Sequence, residues 1–282
     1  LDLETESNLS NESNYENLLD FYENPKKCYI TYIFLLLIWI LYLSIKNNGP
    51  LTFFTITIFP ECEDVRNEVW RLISNTLIHS DLNHILSNSL FLFPFMLINE
   101  YMIEKKYLLF IIFISSINSN LFFNYLNPYK ALLGASGIVF CNASIFLSNL
   151  ILNFDSFILC HKIVLITLNI FLFLIEFISY YTSKNDNTAY SGHWFSYLSG
   201  FMLSNSILYI KNLDTTKIYF RSLNIILYVL GTIFLLVNYS IWPKYKSYNE
   251  LFQEQEINDC CYQLFTFLNK NQSNTIDNFT CK

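Results

Sequence analysis

Seven apolar stretches follow one another along the chain, each roughly long enough to cross a membrane as a helix. They are 28–45, 80–99, 107–126, 134–153, 163–181, 192–210 and 224–241. A helix needs about 20 predominantly apolar residues to cross the hydrocarbon core, where its backbone groups must be paired within the segment. The pattern therefore predicts an all-α polytopic membrane protein.

Polar side chains are concentrated in the second, fourth and sixth stretches. His84, Asn88, Ser136, Asn142 and His193 all lie within these three. Polar groups at membrane depth are costly and normally face the bundle interior or a water-filled cavity. We therefore expect the second, fourth and sixth helices to be enclosed by the more apolar ones.

The polar segments divide the chain into four regions. Residues 1–27 are rich in Asn, Ser and Glu, a composition typical of a disordered tail. Residues 28–210 hold six helices and form the predicted core. A linker and the seventh helix follow at 211–242, and 243–282 is a polar C-terminal tail.

The connection between the first two helices, 46–79, is too long for a simple turn. Apolar residues such as Phe53 and Phe59 predict that part of it lies in the membrane interface. Trp70 and Arg71 are typical of an anchor at the level of the lipid headgroups.

The composition excludes several classes of function. Charged residues make up 14% of the chain, against about 25% in soluble domains. The net charge of −6 lies mainly in the tails, and no basic surface suggests a nucleic-acid partner. The 7 Cys include no Cys-x-x-Cys pair and there are 4 His, so the sequence predicts neither a metal site nor a cofactor.

Lys and Arg predict the orientation in the membrane. With the N-terminus in the cytosol, the cytosolic side carries more positive residues, namely Lys26, Lys27, Lys105, Lys106, Lys162, Lys211, Lys217 and Arg221. In this orientation His79, Ser136 and His193 lie near the outer ends of their helices. Three separate segments therefore bring reactive groups to one depth.

Ser136 lies in the motif Gly134-Ala135-Ser136-Gly137 at the start of the fourth helix. Its small neighbours leave the hydroxyl uncrowded, which suits a nucleophile. Small residues in membrane helices more often permit close helix packing, so both interpretations stay open at this point.

Small residues recur every four positions along the sixth helix. They are Gly192, Ser196, Gly200 and Ser204. This stripe is typical of a close-packing face, and Gly134 and Gly137 make the fourth helix its expected neighbour. The contact would bring His193 to Ser136 as the base that takes its proton. No acid is near His193 in sequence, so we expect a dyad; Glu176, the one acid well inside a span, has no predicted partner.

His84 and Asn88 are four residues apart in the second helix and therefore share a face. Both carry hydrogen-bond donors. Together with the backbone N–H of Ser136 they could stabilise the oxyanion of a tetrahedral intermediate. The alternative is that the pair forms hydrogen bonds between helices.

Taken together, these residues resemble the rhomboid family of intramembrane serine proteases over about 28–210. The resemblance is carried by Trp70-Arg71, His79-x-x-x-x-His84-x-x-x-Asn88, Glu100, Gly134-x-Ser136-Gly137, and Gly192-His193 with Gly200 in the stripe that follows. It implies a six-helix core in which Ser136 is the nucleophile and His193 its base. It also implies that His84 and Asn88 bind the oxyanion and that Phe140 stacks on the catalytic histidine.

The same resemblance implies a substrate class and a reaction. The expected activity is hydrolysis of a peptide bond in or near the transmembrane helix of single-span proteins in the lipid bilayer. The alternative is a catalytically inactive rhomboid-like protein that binds membrane helices. Inactive relatives often have Pro before the serine, where this chain has Ala135. A transporter is disfavoured because no inverted repeat is visible.

The seventh helix follows the six-helix core, which resembles the layout of eukaryotic rhomboids of the secretory pathway. We therefore expect a multi-pass protein of the secretory pathway or cell surface rather than of mitochondria. Cys260, Cys261 and Cys281 and the glycosylation patterns at 271–273 and 278–280 would then lie on the non-cytosolic side, although such patterns also arise by chance in an Asn-rich chain.

Overall fold

The structure, a computed structural model, describes residues 28–48, 69–127, 132–154, 157, 159–182, 189–208 and 215–241. The two predicted polar tails lie outside these residues. So does the predicted interfacial segment around Phe53 and Phe59. All seven predicted spans fall largely within the described residues.

Eight α-helices account for most of the described chain. They are α1 (Tyr29–Asn48), α2 (Arg71–Ser74), α3 (Leu82–Met102), α4 (Lys105–Leu126), α5 (Ser136–Leu152), α6 (Leu159–Thr182), α7 (Tyr190–Ile207) and α8 (Thr215–Ile241). A 3-10 turn, Asn75–Leu77, follows the short helix α2. The other seven helices correspond, in order, to the seven predicted spans.

A strict criterion of both length and mean hydropathy is met by only some of the described helices. Among the described helices, three are long and apolar enough to cross a membrane, namely Lys105–Leu126, Lys162–Thr182 and Ile218–Ser240. The apolar parts of α1 and α5 are shorter, and α3 and α7 carry much of the polar chemistry. The chain is thus an all-α integral membrane protein with polar helices between apolar ones.

Helix α5 lies at the centre of the bundle. It is buried along most of its length and makes its most extensive contact with α7. Helix α3 packs against α5 with one face only, so Leu86, Leu90 and Phe93 on its other side are exposed. The expectation that all three polar helices are enclosed therefore holds for α5 and only for one face of α3.

Small residues allow α5 and α7 to approach closely. A Cβ on Gly200 would meet the hydroxyl of Ser144 and would lie 3.1 Å from the carbonyl oxygen of Cys141. One turn earlier, Ser196 Oγ donates a hydrogen bond to the carbonyl oxygen of Gly137 at 2.6 Å. The expected packing face is therefore present at Ser196 and Gly200.

Gly192, the first member of the stripe, faces a different helix. A Cβ there would lie 3.5 Å from the ring of Phe123 in α4, and Ser119 Oγ of α4 donates to the carbonyl oxygen of Gly192 at 2.7 Å. The fourth span was the expected neighbour of the stripe; at Gly192 the nearest side chain belongs instead to α4. The stripe begins against α4 because α7 is flanked by α4 as well as by α5.

Glu100 joins the end of α3 to the start of α1. Its carboxylate accepts hydrogen bonds from the backbone N–H groups of Ile30 and Thr31 and from the hydroxyl of Thr31, each at 2.8 Å. The first N–H groups of a helix have no partner within it and carry partial positive charge. Glu100 thus caps α1 and holds it against α3.

Polar contacts attach α8 to the core. The amide of Asn118 in α4 donates to Tyr228 Oη at 2.7 Å and to Thr232 Oγ1 at 2.9 Å. Ser199 in α7 lies within hydrogen-bond distance of the same tyrosine oxygen, at 3.0 Å. These contacts place the seventh long helix against α4 and α7.

Candidate active site

Gly134 shapes the backbone that leads into Ser136. Its φ of +113° lies in the region that favours glycine. A Cβ at this position would lie 2.5 Å from His84 Nε2, so a side chain would also collide with the imidazole. The Gly134 N–H donates to the carbonyl oxygen of Asn75 at 2.9 Å, which fastens this turn to the segment after α2.

Ser136 and His193 lie within hydrogen-bond distance of each other. Ser136 is the first residue of α5, His193 is in the first turn of α7, and Ser136 Oγ is 2.7 Å from His193 Nε2. The ring of Phe140 stacks on the imidazole, with centroids 4.8 Å apart and planes 11° from parallel. The small-residue faces predicted the contact of His193 with Ser136, and the family resemblance implied the stacked Phe140; the tertiary structure brings all three together.

Glu176 contacts the other side of the same imidazole. Its Oε1 atom lies 2.6 Å from His193 Nδ1, and both side chains are buried. The predicted dyad left this carboxylate without a partner, and the structure corrects that interpretation. Three side chains are therefore in contact in series, with His193 between Ser136 and Glu176.

A signal for Glu176 is present in the sequence of α6. Its buried residues are Leu165, Asn169, Leu172 and Glu176, which share one face of the helix. Asn169 and Glu176 are seven residues apart in an otherwise apolar helix, and that spacing already places them on one side. This pattern identifies the interior face of α6, although it does not identify the residue that the face contacts.

His84 and Asn88 lie next to the turn that precedes Ser136. The backbone N–H of His84 donates to Asp81 Oδ1 at 2.9 Å, which caps α3 and fixes its first turn. Asn88 Nδ2 is buried, has no hydrogen-bond partner among the described residues, and would lie 3.5 Å from a Cβ on Gly134. A buried donor without a partner is costly, so this amide is available for an oxygen that enters the site.

His79 supports the backbone beside the nucleophile. The N–H of Ala135 donates to His79 Nε2 at 3.3 Å, and the His79 and His84 rings meet edge to face at 5.1 Å. Burial, together with the neighbouring His84, lowers the pKa of His79 to about 3. The ring is therefore neutral at physiological pH, as an acceptor of the Ala135 N–H must be.

Trp70 and Arg71 lie at the start of α2. The guanidinium of Arg71 lies 4.9 Å from the centre of the Trp70 ring; Arg71 is a buried residue, whereas Trp70 is exposed. The segment that follows is fastened to α4, because the amide of Asn120 donates to the carbonyl oxygen of Leu72 at 2.6 Å. The predicted headgroup anchor stays a prediction.

A cavity of about 10 Å³ adjoins Ser136 and His193. Its other polar lining residues include Thr76, Ser119 and Asn120. A space of this size accommodates about one water molecule, and these side chains offer it hydrogen bonds. Among the described residues, no three His, Cys, Asp or Glu side chains gather as they would around a metal ion.

A known family model matches the part of the chain that contains these site residues. The family model of the Rhomboid domain matches residues 66–211, just over half of the chain. The matched range contains α2, the polar helix α3, Ser136, Glu176 and His193. Comparison with curated proteins found no match.

Proposed function

Because the chain belongs to the rhomboid family, we propose that it is an intramembrane serine protease with Ser136 as its nucleophile. The observation that carries this proposal is the 2.7 Å separation between Ser136 Oγ and His193 Nε2. A serine hydroxyl is a weak nucleophile until an adjacent base takes its proton, and the nearness of His193 Nε2 supports that role for it. The stacked Phe140 ring supports the same assignment, because it restricts the imidazole plane.

The reaction follows from this geometry. Ser136 Oγ attacks the carbonyl carbon of the scissile peptide while His193 Nε2 takes the hydroxyl proton. The negative charge that forms on the carbonyl oxygen is stabilised by the Ser136 N–H, by Asn88 Nδ2 and by His84. His193 then protonates the leaving amine, and an acyl-enzyme remains on Ser136.

Water completes the cycle. The second half of the reaction requires a water molecule near the ester carbon, with His193 acting again as base. The cavity beside Ser136, with Ser119 and Asn120 in its lining, offers this water a polar site inside the bundle. Hydrolysis releases the acyl product and restores the serine hydroxyl.

The proposed substrates are single-span membrane proteins that are cut near the outer face. In the predicted orientation, Ser136 and His193 lie at the outer ends of α5 and α7. A complete helix hides its carbonyl groups in hydrogen bonds, so substrates should contain Gly, Ala or Pro near the cut. The position of α8 after the six-helix core supports the proposal that the protein resides in a membrane of the secretory pathway or at the cell surface.

The test is cleavage by the purified protein in lipid vesicles that carry a panel of single-span substrates. A fluorophosphonate probe should label Ser136 in the wild type, and neither labelling nor cleavage should occur in Ser136→Ala. If the wild-type protein binds substrate helices but is neither labelled by the probe nor able to cleave them, it is instead an inactive rhomboid-like protein that binds membrane helices. Cleavage by purified Ser136→Ala would refute the assignment of the nucleophile.

A further inference from the structure

We propose that Glu176 is a positioning residue for His193, so that this chain works with three residues rather than with a Ser–His pair. The inference rests on the proposed protease function and extends it. Glu176 Oε1 and Ser136 Oγ contact opposite nitrogens of one imidazole, at 2.6 Å from Nδ1 and 2.7 Å from Nε2.

The first consequence concerns the tautomer of His193. In the proposed role Glu176 acts as a carboxylate, which only accepts hydrogen bonds, so His193 Nδ1 carries the proton and donates to Glu176. The neutral ring then has its lone pair on Nε2, which faces the Ser136 hydroxyl. Glu176 therefore selects the tautomer in which His193 can act as a base.

The second consequence concerns charge during the reaction. When His193 takes the proton of Ser136, an imidazolium forms in a region with little water. Glu176 is 7% exposed and His193 is 8% exposed, so solvent screens their attraction only weakly. The carboxylate stabilises the positive ring as it forms, and the ring stabilises a charge that would otherwise lie alone in an apolar helix.

The position of α6 does not depend on Glu176 alone. Phe173 of α6 stacks on Trp194 of α7, with 5.2 Å between ring centroids. Tyr197 Oη of α7 donates to Asn169 Oδ1 of α6 at 3.2 Å, one heptad away from Glu176. These contacts should hold the two helices together when Glu176 is replaced, and Tyr197→Phe is a matched control that removes another polar contact between the same helices.

The experiment compares Glu176→Gln and Glu176→Asp with Tyr197→Phe in the full chain in vesicles. Glutamine can donate to Nδ1 and thereby favours the tautomer with its proton on Nε2. We expect Glu176→Gln to lower kcat about 100- to 10,000-fold with KM within about twofold, the scale of the corresponding change in serine proteases. Glu176→Asp should recover part of kcat, and Tyr197→Phe should keep kcat while matching the melting temperature of the Gln variant.

A second measurement separates positioning from a structural role. The rate of fluorophosphonate labelling at Ser136 should fall in Glu176→Gln, but the same substitution should cause no further fall in His193→Ala protein, because residues that act as a unit are non-additive. An equal fall in both backgrounds, or a kcat that falls only in step with the melting temperature, would overturn the positioning role. A Glu176→Gln variant with the kcat of the wild type would also overturn the positioning role.

The experiments distinguish failure of the proposed protease function from failure of the proposed role of Glu176. A wild-type protein that neither cleaves nor labels at Ser136 defeats the protease proposal, and the role of Glu176 with it. A wild-type protein that cleaves and labels, together with an equally active Glu176→Gln variant, defeats the role of Glu176 alone.

Discussion

The imidazole of His193 lies face to face with the ring of Phe140, with 4.8 Å between their centroids and 11° between their planes. Phe140 follows Ser136 by one turn of α5, so a single helix supplies both the nucleophile and the surface on which its base rests. The stacked ring limits rotation of the imidazole while leaving both of its nitrogens accessible. Stacking therefore adds to the orientation that the contact with Glu176 provides.

Replacement of Phe140 by Leu should therefore weaken catalysis more than it weakens folding. Leu fills much of the same space but offers no flat face to the imidazole. Aromatic pairs contribute about 0.5–1.5 kcal/mol beyond area burial, so kcat/KM should fall roughly 2- to 10-fold. Steady-state cleavage in vesicles gives this number. The control is Phe146→Leu in the same helix, a fully buried position that should lower the melting temperature and leave kcat/KM of the folded protein unchanged.

Removal of the Asn88 amide should slow turnover without unfolding the protein. Asn88 Nδ2 is buried and has no partner among the described residues, so Asn88→Ala removes a donor that the resting structure does not use. Loss of one oxyanion donor typically costs about 100- to 1,000-fold in kcat. We expect a fall of this order in Asn88→Ala and a fall in the same direction in His84→Ala.

The matched control for this prediction is Asn83→Ala, which changes an exposed residue of α3. Its cleavage rate and melting temperature should stay close to those of the wild type. A loss of activity in Asn88→Ala that only follows a loss of helix content would make Asn88 a structural residue.

Substitution by Ala should change the stability of the protein differently at two glycines. A Cβ at Gly200 would lie 3.0 Å from Cys141 Sγ and would also meet Ser144, whereas a Cβ at Gly231 in α8 would meet nothing within 4 Å. Gly200→Ala should destabilise the protein by about 1–3 kcal/mol through overpacking. Gly231→Ala should be neutral or slightly stabilising, because Ala favours the helix. Melting temperatures in one detergent provide the comparison, and equal shifts would contradict the close packing of α5 and α7.

His79 should make the protein sensitive to acid. Its pKa in the fold is about 3, below the ordinary value of 6.5, so the unfolded chain binds a proton below pH 6.5 while the folded protein does not. The contribution of His79 to stability is therefore full above pH 6.5 and declines by up to about 1.4 kcal/mol per pH unit as the pH falls towards 3.

The variant His79→Gln tests this dependence, since an amide oxygen can still accept the Ala135 N–H and does not titrate. Between pH 7 and pH 5 its melting temperature should fall less than that of the wild type. Parallel curves for the two proteins would show that His79 is not the group responsible.

For the part of the chain that the structure describes, the sequence alone was sufficient to predict the number and order of the long helices. Hydropathy is a local property, and an apolar segment of this length must satisfy its own backbone in lipid. Several residues of the candidate site could also be recognised in the sequence. Ser136 stands among small neighbours at a helix start, and His84 and Asn88 share one face because four residues make about one helical turn.

Only the tertiary structure decided how the helices are rotated about their axes. Lipid and protein interior are similarly apolar, so the pattern of α6 does not say what its face contacts, and Glu176 was left unassigned until packing placed it 2.6 Å from His193. For the same reason the sequence could not reveal that Gly192 faces α4 or that one side of α3 is exposed. Which side chains meet depends on contacts between residues far apart in the chain, and neither hydropathy nor spacing carries that information.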